Sequence, residues 1–134
     1  MGRTQAMLGA CVCLGAALTA RDGWTADAGH GRYLVEQVAM CGECHTPRTE
    51  DGTLDRSRWL RGGPIPVHAP PFSTAWAIQA PAIAGLPAYS DDEAIRMLTT
   101  GIDRGGHALR PPMPAFRFTR RDAMDVLAYL RSVR

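Results

Sequence analysis

Cys41-Gly42-Glu43-Cys44-His45 is the stretch on which the reading of the chain turns. Two cysteines three positions apart, with a histidine directly after the second, form the attachment signature of a c-type haem. The spacing has a chemical reason. On one helical turn both thiols lie on one side and reach the two vinyl groups along one porphyrin edge. His45 is then held under the iron and offers an imidazole nitrogen as axial ligand. A structural zinc site would need a second cysteine or histidine pair at its own spacing. The other cysteines, Cys11 and Cys13, lie in an apolar N-terminal stretch instead. A thioredoxin-like redox pair belongs between a strand and a helix, and no such pattern surrounds Cys41. The motif implies one haem c per chain, held covalently.

The 134 residues allow one small domain. Residues 1–28 read as a secretory signal: Arg3, an apolar run over 6–20, then Ala26-Asp27-Ala28 as a small-residue cleavage pattern. Cleavage before Gly29 leaves 29–134 as the folded domain, and cleavage after Ala20 is the alternative. The apolar run falls short of the ~20 residues that span a bilayer. Export suits the motif, because an exported CxxC without haem would oxidise to a disulfide. All 15 basic residues are arginine, and the net charge is +2. Such a balance gives no warrant for nucleic-acid binding or for strong attachment to an anionic membrane.

Outward from the motif, Gly31 to Met40 carries apolar residues at helical spacing and runs straight into Cys41. From Thr46 to Ala88 the periodicity vanishes, and prolines at 47, 64, 66, 70, 71, 81 and 87 forbid long helices. A loop of that length in a compact domain calls for something to order it, and a large flat cofactor would do so. Trp59, Phe72, Trp76 and Ile83 are the apolar groups expected against the porphyrin or in the core below it. Ser90-Asp91-Asp92-Glu93 is a capping box that starts a helix, which Gly101 ends. Thr119 starts another, with Ala123, Val126, Leu127, Leu130 and Val133 as its buried stripe. The expected class is all-α: three or more helices with long proline-rich loops around one covalent haem.

A six-coordinate iron needs a ligand opposite His45. Met97 and Met124 fall in helical segments, where methionine is most often packing, and Met40 abuts Cys41. Met113 stands apart in Arg110-Pro111-Pro112-Met113-Pro114, a stiff segment that can present a thioether with little entropy to lose. His30, His68 and His107 are the histidine alternatives.

The order of attachment motif, Gly-Pro turn, methionine loop and closing helix resembles class I cytochromes c. Gly-Arg-Tyr-Leu-Val (31–35), Cys-His-Thr-Pro-Arg (44–48), Ala-Gly-Leu-Pro-Ala-Tyr (84–89) and Pro-Pro-Met-Pro-Ala-Phe (111–116) are most similar to bacterial single-haem periplasmic cytochromes. They are similar also to single haem domains of multihaem dehydrogenase subunits. The resemblance covers about residues 29–133. It implies Cys41 and Cys44 as thioether links, and His45 and Met113 as the metal ligands. It further implies a proline carbonyl accepting the second ring N–H of the histidine, for which Pro64 is the candidate. Arg58, Arg61 or Trp59 is expected at a propionate, and Tyr33 or Leu34 is expected to meet Leu127 or Leu130. The function implied is periplasmic electron transfer, without catalysis of its own. Its partners would be a dehydrogenase, an oxidase or another cytochrome. A haem enzyme or a gas or redox sensor with an open sixth position is the competing reading, and the Met113 loop speaks against it.

Overall fold

The computed structural model describes residues 25–134, so the apolar run and the residues up to 24 lie outside the described residues. Within them the architecture is four helices and a single two-residue strand pair, compatible with an all-α cytochrome c fold. Helix α1, Ala28–Tyr33, starts where Asp27 accepts hydrogen bonds from the backbone N–H groups of Gly29 and His30. The helix then widens into a π turn over Leu34–Val38, closed by Ala39 N–H donating to the Leu34 carbonyl at 2.8 Å. Such single π turns gather at functional sites. This one ends beside the attachment motif, so the helix expected over 31–40 starts earlier and changes pitch halfway. Helix α2, Gly42–His45, is the motif itself.

The segment from Thr46 to Ser90 is loop, as the prolines dictate, apart from one tight turn at Arg56–Arg58 and the paired strands β1, Gly63–Pro64, and β2, Gln79–Ala80. Helix α3, Asp91–Thr100, has the capping box of Ser90 and Glu93 in both directions, and Gly101 closes it in the left-handed conformation. Helix α4, Arg120–Ser132, is capped by Thr119, which accepts from Asp122 N–H.

α1 packs chiefly across α4, and α3 also packs against α4. The close approach of α1 and α4 needs Gly31, since a Cβ there would overlap the backbone carbonyl of Asp125. Leu34, Val35, Leu60, Leu98, Val126, Leu127 and Leu130 belong to one buried cluster. Leu34 is thus the residue that faces α4, while Tyr33 is exposed and stacks on His30. Two loop expectations are corrected. Phe72 is fully exposed, and Trp76 turns its indole N–H to the Val67 carbonyl, outside the core cluster.

Candidate haem site

A cavity of about 490 Å³ opens between α2, α3 and the loops before and after α3, within the usual size range for cofactor pockets. Cys41, Cys44, His45 and Met113 all line it, with an otherwise mainly apolar wall that includes Ile65, Ile83, Leu86, Leu98, Val126 and Leu130. The four residues that the sequence singles out for attachment and ligation therefore reach one space, although Met113 is far from the motif in the chain. His68 and His107 do not line it, and His107 is largely exposed. Met40 and Met97 do line it. Met40 sits at the mouth with more than half its surface exposed, and Met97 is a partly buried α3 residue packed on the core. Met113 is carried by a loop tied down at its base, where Ala77 N–H donates to the Pro111 carbonyl at 2.7 Å and Met113 N–H to the Arg110 carbonyl at 3.1 Å.

His45 is buried and gripped on two sides. Its Nδ1 lies 2.8 Å from the Pro81 carbonyl oxygen, and its own carbonyl accepts from Gly62 N–H at 2.7 Å. A carbonyl only accepts, so Nδ1 carries the proton and Nε2 keeps its lone pair for a metal. Burial pushes the imidazole below its ordinary range, against the opposing effect of the Pro81 bond. A neutral ring is the form that ligates. Here the Pro64 expectation is corrected. Pro64 pairs with Gln79 in the strand ladder and lies off the cavity wall, whereas Pro81 follows β2 directly and delivers its carbonyl from 36 residues beyond His45.

Burial pushes the Cys41 thiol up to about 11, and both cysteines are free. Cys41 and Cys44 both lie on the mainly apolar wall of the cavity. This donor set, two thiols on one turn with an imidazole and a thioether facing a mainly apolar cavity, fits a covalently held haem.

The comparisons agree. A stretch of 36 residues, 27% of the chain, is 67% identical to a protein described as "Diheme cytochrome c-type" from Cereibacter sphaeroides, of which it covers 12%. Over 120 residues, 86% of the chain, identity is 33% to the "Fructose dehydrogenase cytochrome subunit" of Gluconobacter japonicus, of which it covers 23%. The chain is a c-type cytochrome. No family model matches it, and it spans less than a quarter of either relative's length. The resemblance is thus to a domain of such larger cytochromes.

In this cytochrome the polar residues of the cavity are not those expected. Arg104 and Arg110 line it, together with Asp103, Gln79 and Tyr89; Arg58, Arg61 and Trp59 do not. Arg104 donates to the Ala88 carbonyl and lies 5.8 Å from the centre of the Tyr89 ring, and Arg110 donates to the Trp76 carbonyl at 3.3 Å. Arg58 is turned outward to Asp55. Trp59 is corrected too: its ring packs on the outer side of α2, at Gly42, and its indole N–H donates to the Tyr129 hydroxyl at 3.1 Å. The cavity arginines had one legible signal, their place on either side of the Gly105-Gly106 turn ahead of the methionine loop. Nothing local marks Trp59 as facing away. None of the described helices is long and apolar enough to cross a membrane.

Proposed function

We propose that this cytochrome is an electron-transfer domain carrying one haem c, linked through Cys41 and Cys44 and ligated by His45 and Met113. The observation that carries it is the convergence of those four side chains on one mainly apolar cavity. The bound group would supply the one-electron couple of its iron. The chain's own residues do the rest. Pro81 fixes the orientation and tautomer of the His45 ring and Gly62 holds the His45 backbone, and the apolar wall excludes water. The Pro111–Pro114 segment, anchored at Ala77, presents the Met113 thioether with little freedom to lose. A site whose ligands are held alike in both oxidation states has little to reorganise. A methionine ligand favours the reduced iron relative to a second histidine. Arg104 and Arg110 stand ready to face the propionate carboxylates with bidentate donors.

The function that follows is electron transfer in an exported setting, between a dehydrogenase and a further acceptor, either as a separate carrier or as the haem domain of a dehydrogenase complex. The name of the Gluconobacter relative supports the second form. The test is the absorption spectrum of protein made with haem-attachment machinery, recorded beside Met113→Ala and Met97→Ala. A weak methionine–iron band at the red end of the ferric spectrum should vanish in Met113→Ala and survive in Met97→Ala. A parent spectrum that is high-spin and shifts on adding cyanide would overturn the assignment in favour of an open iron, and with it an enzyme or sensor.

A further inference from the structure

The attachment turn is gripped from outside the cavity as well as from within. α2 has four residues, too few to hold an orientation by its own hydrogen bonds. On its outer side the six-membered ring of Trp59 occupies the space that a side chain at position 42 would need, and a Cβ built on Gly42 overlaps the ring carbons. The indole is fixed in turn. Its N–H donates to the Tyr129 hydroxyl at 3.1 Å, that hydroxyl donates to the Glu36 carboxylate at 2.6 Å, and Arg32 Nε donates to the same oxygen at 3.0 Å. The Arg56 guanidinium lies 4.3 Å above the ring. The next residue, Leu60, is fully buried, and its N–H donates to Thr46 Oγ1 at 3.0 Å. Its carbonyl accepts from Ile83 and Ala84, and Gly62 reaches the carbonyl of His45. A single strap, residues 59–62, thus holds α2 at both ends: bulk at Gly42 and hydrogen bonds at His45 and Thr46.

We propose that Trp59 is the positioning residue of the attachment turn, its indole filling the missing side chain of Gly42 and held there by Tyr129 of α4 and Glu36 of the π turn. This rests on the haem reading above and adds to it a size match outside the cavity. The pair of residues is reciprocal. Glycine at 42 admits the indole, and the indole fixes how far the two thiols and the imidazole project into the cavity. Through Tyr129 and Glu36 the packing of α1 on α4 is transmitted to the turn. Trp59 touches no cofactor atom in this role.

The experiment is a double-substitution cycle on the haem-loaded protein: Gly42→Ala, Trp59→Leu and both together. It is read by haem per chain, by the methionine–iron band and by the reduction potential. Gly42→Ala alone should weaken the band and shift the potential. Adding Trp59→Leu should restore both toward the parent values, because it vacates the space the new methyl needs. Tyr129→Phe is the gentler probe: it keeps the ring and α4 packing, removes the acceptor of the indole N–H, and should shift the potential in the direction Trp59→Leu does. A Gly42→Ala protein with parent spectrum and potential would overturn the proposal. So would a double variant whose shifts are the sum of the single ones, which would leave Trp59 as ordinary packing. A parent chain that takes up no haem would instead overturn the reading beneath it, and this inference with it.

Discussion

Thr46 illustrates how much a single side chain decides here. It is buried, and its hydroxyl oxygen accepts the N–H of Leu60, itself fully buried. Thr46→Val keeps the shape but leaves that N–H without a partner, and an unsatisfied buried donor costs about 1–3 kcal/mol. Thr46→Ser keeps the acceptor. Denaturant unfolding should show Thr46→Val destabilised by about that amount relative to Thr46→Ser; equal midpoints would show that Leu60 finds another partner. Glu36 gives a second residue-scale expectation. Burial acts to raise its carboxyl, but the hydrogen bonds from Tyr129 and Arg32, with the charges of Arg32 and Arg56, outweigh it and hold it below the ordinary value of 4.5. A carboxyl lowered on folding contributes stability that is complete above the unfolded value and is lost as pH falls through the folded one. The melting midpoint should therefore decline more steeply below about pH 4.5 in the parent than in Glu36→Gln. Parallel curves would show that this carboxylate contributes nothing on acidification.

At the scale of elements, what could be read in the sequence divides by range. Ser90 with Glu93, Thr119 with Asp122 and the turn Cys41–His45 declare themselves because each partner lies within one helical turn of the other. The acceptor for His45 did not, because the pairing of β1 with β2 brings Pro81 to the imidazole from 36 residues away. The turn at Gly63-Pro64 offers the nearer proline, and only the strand register shows that it is used elsewhere. Trp59 misled for a similar reason: an aromatic residue in a cofactor-wrapping loop can face either side of the turn it packs on, and no neighbouring residue states which. The start of α1 bears on processing. Asp27 caps the helix, and its own N–H donates to the buried Asp125 carboxylate at 2.7 Å. Cleavage before Gly29 would remove both interactions, whereas cleavage after Ala20 keeps them. Losing the cap alone costs about 1 kcal/mol. If the N-terminal segment is removed as its small-residue pattern predicts, intact-mass measurement of the processed protein should find a chain that still contains Asp27; a mass starting at Gly29 would show that α1 holds without its cap.

For the molecule as a whole, the potential of the cavity is set by what little charge it contains. Its wall is mainly apolar, and the cationic groups on it are Arg104 and Arg110, opposed by Asp103. Asp103 is held below the usual carboxylate range chiefly by accepting the His107 backbone N–H, so it stays ionised at neutral pH. Arg104 is anchored on the Ala88 carbonyl and Arg110 on the Trp76 carbonyl, so both cations are carried by the segment after α3 and tied to the segment before it. A fixed positive charge favours the reduced state of a nearby redox centre. At an effective dielectric of about 20, a unit charge about 10 Å away is worth on the order of 1–2 kcal/mol. Arg104→Gln and Arg110→Gln should therefore each lower the reduction potential, and the effects should add, since the two side chains hydrogen-bond to different carbonyls. Equilibrium redox titration at two ionic strengths is the measurement. A drop that persists at high salt places the charge inside the protein's low-dielectric boundary, while a drop that salt abolishes places it at the rim, where screening acts. Unchanged potentials in both variants would show that the propionates are met by other groups, and would move the charged end of the cofactor away from the Gly105-Gly106 turn.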